Sequence, residues 1–335
     1  MSLPVIAIVG ATGAVGTELL LCLERRNFPL SKLHLFASAR SAGKKLCFRQ
    51  QEIVVERLSK QSFKNVNIVF FAAGNAVSEQ YSQFAMKEGA VVIDNSSVFR
   101  QDPNVPLVIP EINPEMISQH KGLIANPNCS TIIALTPLWP IHQKFTICRA
   151  IVSTYQAASG SGAAAMQELL NATHAYLDNM PYQHTVLPHP YAFNLFSHNS
   201  AIDLATGYNR EELKMLTETR KIFNTNDIQI SATCVRVPVL RAHSEALHIE
   251  CLTPITPNDV RDLLKTSPGI KIIDDVKNNY FPMPIDASEQ DNILVGRIRQ
   301  DMSDPTGKGI AMFVAGDQLL KGAALNAVQI AEYLV

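Results

Sequence analysis

The 335-residue chain is 47% hydrophobic and 18% charged, with a formal net charge of −1. Near-neutrality leaves no basic field to recruit nucleic acid or an anionic membrane surface. No apolar run reaches the roughly 18–20 residues that span a bilayer, and the length exceeds what one core usually organises, so two domains are expected.

The opening MSLPVIAIVG runs straight into a strand-like segment without the basic region and cleavage site of an export signal. A cytoplasmic protein is therefore expected. Further strands are predicted at LHLFAS (33–38), NIVFFAA (67–73), AVVIDNS (90–96) and LIANP (123–127), with helical patterns such as AVGTELLLCLERR and VSEQYSQFAMKEG between them. This alternation predicts a doubly wound α/β domain of the Rossmann type, with a parallel sheet covered on both faces. From about residue 147 the texture changes to longer strands: RAIVSTYQA, IQISATCVRVPVL, EALHIECL, NILVGRIR and IAMFVAG. These predict an α+β domain on a mostly antiparallel sheet with one face free for a second subunit. The last stretch, DQLLKGAALNAVQIAEYLV, has helical periodicity. The expected division is 1–130 plus 318–335 for nucleotide binding, the last helix packing back on it, and 131–317 for catalysis and dimerisation.

VIAIVGATGAVGTELLLCL joins the first strand to a helix through Gly10, Gly13 and Gly16. Glycine allows a tight turn and close approach of backbone to a pyrophosphate, which the helix N-terminus then faces. The spacing is GxxGxxG and not GxGxxG, but it lies at the first strand-to-helix junction, where a dinucleotide fingerprint belongs. Gly10, Thr12, Gly13, Ala14 and Val15 are the candidate cofactor contacts there. The second strand ends FASARSAGKKL, with Ser38, Arg40 and Ser41 and no acidic residue to hold a ribose 2′-hydroxyl. Hydroxyls and a guanidinium suit a 2′-phosphate, so NADP is expected over NAD.

The six cysteines, at 22, 47, 129, 148, 234 and 251, show no metal-ligand spacing. No metal site is expected, and most should be buried thiols. Cys129, in NPNCSTIIALTPL, alone sits at a predicted helix start, where the helix dipole and free N–H groups favour a thiolate. Its position leaves open whether it is a nucleophile or a small hydrophobe. Among nine histidines, His243 follows a strand, close after Arg236 and Arg241; His120, His184, His189 and His198 fall in polar or proline-rich loops, where solvated surface is the default.

Eight stretches in order, GATGAVG, SARSAGK, DNSSVFRQDPNVPLVIPEIN, NPNCSTI, STYQAASGSG, EELKMLTETRKI, CVRVPVLRAHSE and GDQLLKGAALNAVQIAE, span both domains. In these the chain resembles the aspartate-β-semialdehyde dehydrogenase family. The resemblance implies NADPH-dependent reductive dephosphorylation of L-aspartyl 4-phosphate to L-aspartate 4-semialdehyde, in the route to lysine, methionine and threonine. It implies Cys129 as the thioester-forming nucleophile, His243 as acid/base and Gln156 as the orienting amide. Arg100 and Lys214 would bind phosphate, Glu211 the substrate and Arg236 its α-carboxylate. Ser159, Gly160 and Gln318 would line the cofactor pocket. A homodimer is implied, with a tetramer as the alternative. Taken without the resemblance, Glu211 and Lys214 read as a surface ion pair worth under ~1 kcal/mol.

Two segments depart from the family pattern: SHNSAI replaces a proline-containing segment, and Asn75 stands where a second glycine is typical. Three other readings stand beside the enzyme: a non-catalytic paralogue, which should have lost Cys129, His243 or Gln156; a reductase for another acyl phosphate, against which Glu211, Lys214 and Arg236 argue; and an NADP-dependent sensor without turnover.

Overall fold

In the computed structural model, which describes residues 3–335, the run VIAIV forms β1 (Val5–Val9), buried over four of its five positions. A strand apolar on both faces needs cover on both, as in a parallel sheet. β1 pairs in parallel with β2 (Lys32–Ala37) on one side and, across a chain reversal, with β5 (Ile68–Phe71) on the other. β3 (Lys45–Phe48), β4 (Gln51–Arg57), β6 (Val91–Asp94) and β7 (Leu123–Ala125) complete a seven-stranded sheet in the order β3-β4-β2-β1-β5-β6-β7. All its pairs are parallel except the β3–β4 hairpin. Helix α1 (Ala14–Arg25) follows β1, and α2 (Asn75–Lys87) follows β5. The doubly wound expectation is met, and the glycine turn lies at the switch point beside β1, where such sheets bind ligands.

The β3–β4 hairpin is absent from the sequence reading. Its two turn residues, Arg49 and Gln50, both have positive φ (48° and 64°), a conformation usually signalled by Asn or Gly.

The second sheet is built from β8 (Ile147–Gln156), β9 (Phe196–Ser197), β10 (Gln229–Arg236), β11 (His243–Cys251), β12 (Ile270–Ile272), β13 (Ile293–Gln300) and β14 (Gly309–Gly316). Its order is β12-β13-β14-β11-β8-β10-β9. The β8–β10 and β12–β13 pairs are parallel and the other four antiparallel. β10 stops at Arg236, short of the predicted strand, because Pro238 has no N–H for the ladder. Along β8 the residues Ala150, Val152, Thr154 and Gln156 are buried while Ile151 and Tyr155 are exposed, so one face is covered and the other open. The covering element is α3 (Cys129–Phe145), whose run from Ser130 to Leu138 is wholly buried. α4 (Ala163–Leu177), α5 (Arg210–Phe223), α6 (Pro257–Lys265) and the short α7 (Pro284–Ala287) lie around this sheet.

The chain divides into two compact units, residues 1–128 with 323–335, and residues 129–322. Helix α8 (Leu325–Glu332) belongs to the first, packing on α1 and β6. Asn326 Nδ2 donates to Asn126 Oδ1 (2.6 Å) and the Val108 carbonyl (3.0 Å), and Arg26 makes a two-point ion pair with Glu332. The predicted terminal helix is shorter than its periodicity suggests. Asp317–Leu319 are not helical, and Leu320–Ala324 form a π turn.

Candidate active site

Four chain segments converge at one end of the second sheet. Gln156 and Arg236 end parallel neighbours β8 and β10 and are direct register partners. His243 begins β11, and Cys129 is the first residue of α3, which packs on that sheet face. Side chains at i and i+2 of a strand share a face, so Thr154 and Gln156, and likewise His243 and Glu245, look toward α3.

Gln156 is 1% exposed and its amide is oriented by its neighbours. Nε2 donates to Ser130 Oγ (3.0 Å) and Glu211 Oε1 (3.4 Å), while Oε1 accepts from Arg236 Nη1 (3.4 Å). Ser130 directly follows Cys129, so the amide is tied to the first turn of α3. Cys129 itself is half-buried. A side chain at Gly322 would press on Cys129 Cβ at 2.9 Å, so only glycine fits beside the thiol-bearing residue.

His243 is fully buried, and its Nδ1 accepts the Ala157 backbone N–H at 3.0 Å. The proton of a neutral ring must then sit on Nε2, which has no protein partner. Burial, with Arg236 adding to it, pushes its pKa down to about 3, so the ring is neutral at physiological pH. Gly160 lies against both His243 Nε2 and Arg236 Nη1; a Cβ there would stand 2.9 and 3.0 Å from them. The site thus presents one unengaged N–H donor beside a guanidinium.

Glu211 lies in the first turn of α5, which Asn209 caps reciprocally with Glu212. It is 4% exposed and pairs with Lys214 Nζ at 2.8 Å. The surface reading of this pair is therefore corrected: the carboxylate is inside, where α5 packs against β10. Ser159 and Gln318 are hydrogen-bonded to each other, and Gln318 Oε1 accepts the Ala242 N–H at 2.9 Å. Ala242 has φ +69°, so Gln318 also fixes the strained residue that precedes His243.

Arg100 and the residues of the glycine turn belong to the first unit. Arg100 is 7% exposed, and its Nη2 donates to the Asn95 carbonyl at 2.9 Å. A cleft of about 580 Å³ is lined by Gly10, Thr12, Gly13, Ser38, Arg40, Ser41 and Arg57. Gly10 has φ +88°, and a Cβ would meet the Ala72 carbonyl oxygen at 2.5 Å. Ala14 and Val15 open α1, whose N-cap Gly13 supplies no capping side chain, so the first-turn N–H groups are left for a ligand. Asn75 opens α2 and bonds Ser97.

The sequence reading assigned no part in this geometry to four residues. Arg57 reaches the cleft from the end of β4, an unread strand. Ser130 and Glu245 lie beneath the cluster: Glu245 is 0% exposed, and its carboxyl faces Ser130 without a well-formed hydrogen bond to either oxygen. Burial, with Glu211 adding to it, pushes the pKa of this carboxyl well above the usual range, which favours its protonated form. His198 is the fourth, and its default as a solvated loop residue is corrected. It is half-buried, with Nε2 2.8 Å from Arg236 Nη2.

Family comparison decides what this geometry belongs to. Residues 5–120 match the family model described as semialdehyde dehydrogenase, NAD binding domain, and residues 138–321 match semialdehyde dehydrogenase, dimerisation domain. An aspartate-semialdehyde dehydrogenase of Synechocystis is 52% identical over 330 residues, covering 98% of this chain and 97% of that one. The chain belongs to the aspartate-semialdehyde dehydrogenase family. The family member from Bacillus subtilis is 44% identical over 98% of this chain and 96% of its own. Among solved structures, aspartate semialdehyde dehydrogenase II of Vibrio cholerae, complexed with ASA, superposes with a TM-score of 0.96 at 42% identity, covering 100% of this chain and 98% of that one. Aspartate semialdehyde dehydrogenase from Candida albicans, solved with NADP, gives 0.77 at 25% identity, covering 99% and 98%. As an aspartate-semialdehyde dehydrogenase the chain is an oxidoreductase with a nucleotide-binding domain. Among the described residues no helix is long and apolar enough to cross a membrane.

Proposed function

We propose that this oxidoreductase interconverts L-aspartyl 4-phosphate and L-aspartate 4-semialdehyde through an acyl thioester on Cys129, using NADP in preference to NAD. The observation that carries this reading is Cys129 at the start of α3, next to Ser130, whose hydroxyl accepts from the buried Gln156 amide, with Arg236 joined to that amide and His243 Nε2–H unengaged.

In the reductive direction the Cys129 thiolate attacks the acyl carbon, and the bond from that carbon to the phosphate oxygen breaks, its electron pair leaving with phosphate. Arg100 and Lys214 are the cations assigned to that phosphate. A nicotinamide dinucleotide, when bound, would supply the hydride that reduces the thioester. In the resulting thiohemiacetal the carbon–sulfur bond breaks, its electrons return to Cys129, and the aldehyde is released. His243 offers Nε2–H to the oxygen of each tetrahedral species, as an oxyanion donor. To act as a base in this tautomer it would have to take a proton at Nδ1, which the Ala157 N–H already occupies. Gln156 orients the reacting centre, Arg236 receives the α-carboxylate, and Glu211 balances the substrate ammonium.

The residues around the cleft fit a dinucleotide. Gly10, Thr12, Gly13, Ala14 and Val15 would hold the pyrophosphate on the uncapped α1 N-terminus. Ser38, Arg40 and Ser41 would hold a 2′-phosphate, with Ser159, Gly160 and Gln318 assigned to the nicotinamide end. The open face of the second sheet, with Ile151 and Tyr155 exposed, suits a homodimer, and the cytoplasm suits a reduced nucleophilic thiol. Phosphate-dependent reduction of NADP by aspartate semialdehyde tests the activity. Dinucleotide binding without turnover would contradict it.

A further inference from the structure

Arg236 offers five N–H donors, and the structure engages them unequally. Nε lies 3.4 Å from Asn199 Oδ1, and Nη1 lies 3.4 Å from both Gln156 Oε1 and the Ala157 carbonyl. These are long contacts at the outer edge of hydrogen bonding, which an incoming carboxylate can replace. The fourth contact differs: Nη2 meets His198 Nε2 at 2.8 Å. A guanidinium can only donate, so Nε2 must accept, and His198 is the neutral tautomer with its proton on Nδ1. The Ser200 N–H also points at Nδ1, at 3.2 Å; a neutral ring accepts at one nitrogen only, and the shorter contact, from the charged donor, takes precedence over it.

Local pairing places this imidazole. β9 runs antiparallel to the end of β10, with Phe196 opposite Arg236, and the His198 N–H donates to the Cys234 carbonyl at 2.8 Å. The segment that supplies His198 and Asn199 is SHNSAI.

We propose that His198 is a positioning residue for the α-carboxylate site: its neutral imidazole holds Nη2 of Arg236 so that the guanidinium keeps the orientation in which it receives the substrate carboxylate. The proposal rests on the assignment of Arg236 to that carboxylate. The charged groups facing His198 are Arg236 on β10 with Glu211 and Lys214 on α5. A second positive charge on the imidazole would oppose the Arg236 contact, and burial keeps the ring neutral, with its pKa pushed down to about 4.

The test compares two aldehydes, L-aspartate 4-semialdehyde and 3-aminopropanal, which lacks the α-carboxylate, in the full-length enzyme with saturating NADP and phosphate. His198→Ala should raise KM for the semialdehyde about tenfold, leave KM for NADP within about twofold, and leave 3-aminopropanal kinetics unchanged. His198→Gln, whose amide oxygen can accept from Nη2, should recover most of the loss. If His198→Ala does not fold, His198→Asn, whose shorter amide falls short of Nη2, gives the same comparison. An unchanged KM for the semialdehyde, or an equal rise for both aldehydes, overturns the proposal. Arg236→Lys separates it from the reading beneath. If that variant leaves the preference between the two aldehydes intact, Arg236 is not the carboxylate site. If it collapses the preference while His198→Ala does not, the positioning role alone is wrong.

Discussion

His243 and Ala157 are joined by a 3.0 Å hydrogen bond in which the backbone N–H donates to Nδ1. That bond fixes the tautomer and leaves Nε2–H facing the site without a protein partner. An oxyanion donor and a general base respond differently to substitution. His243→Asn should lower kcat by about 10²–10³, the usual loss for one oxyanion-hole donor. His243→Gln, whose Nε2 can reach the position of the imidazole Nε2, should retain several-fold more activity than the Asn variant. Equal loss in both would argue against the donor role; the measurement is steady-state kcat with semialdehyde, phosphate and NADP.

Arg40 is the one cation among the three side chains assigned to a 2′-phosphate. A hydrogen bond to a charged group contributes about 1.5–3 kcal/mol, which corresponds to roughly 10–150-fold in binding. Arg40→Ala should therefore lower kcat/KM for NADP by at least about tenfold and leave that for NAD within about twofold. If both fall together, Arg40 holds the cleft together and does not select the cofactor. Should selectivity survive in full, Arg57, on the same cleft wall, is the next residue to test.

Glu245 makes a prediction on the basic side. Burial raises its pKa in the folded state, so the folded protein holds a proton that the unfolded chain has lost above the ordinary value of 4.5. Stability from this group is complete below that value and falls as pH rises, by up to about 1.4 kcal/mol per pH unit. Glu245→Gln, which is isosteric and cannot ionise, should raise the melting temperature. The gain should grow as pH rises above 4.5. A gain that does not change with pH would mean the carboxyl is not neutral inside.

The histidines act in the opposite direction. His198 and His243 have pKa values pushed down to about 4 and about 3, against 6.5 for a free imidazole. The unfolded chain therefore takes up protons first as pH falls. Stability is fully present above 6.5 and declines below it, by about 1.4 kcal/mol per pH unit for each ring. His198→Gln removes one of the two, so denaturant melts between about pH 6.5 and pH 4 should show a shallower acid limb than the wild type. An unchanged limb would mean that His198 already titrates normally.

Both sheets were legible in the sequence: VIAIV and NIVFFAA announce a covered parallel sheet, and the run of longer strands with few helices between them from about residue 147 announces a sheet with an open face. The β3–β4 hairpin was hidden because Arg49 and Gln50 adopt the turn without the glycine or asparagine that marks it. The cysteine at the start of α3 could be singled out because a helix start is visible in one sequence window. His198 could not. Its function depends on β9 pairing with the end of β10, a contact 40 residues apart in Phe196↔Arg236 that no local pattern encodes. Glu245 was hidden for a related reason, since an acid in a strand reads as a solvent-facing position until the register puts it opposite Thr154 and under α3.

The thioester on Cys129 is the central claim, and pre-steady-state kinetics without phosphate reads it most directly. With phosphate absent the acyl group has no acceptor other than water, so mixing enzyme, NADP and aspartate semialdehyde should give a burst of NADPH stoichiometric with active sites. Mass analysis of the quenched enzyme should find one aspartyl group on the peptide that contains Cys129, and Cys129→Ser should show neither. Absence of a burst from enzyme that turns over in phosphate, or a burst that survives in Cys129→Ser, would contradict the mechanism.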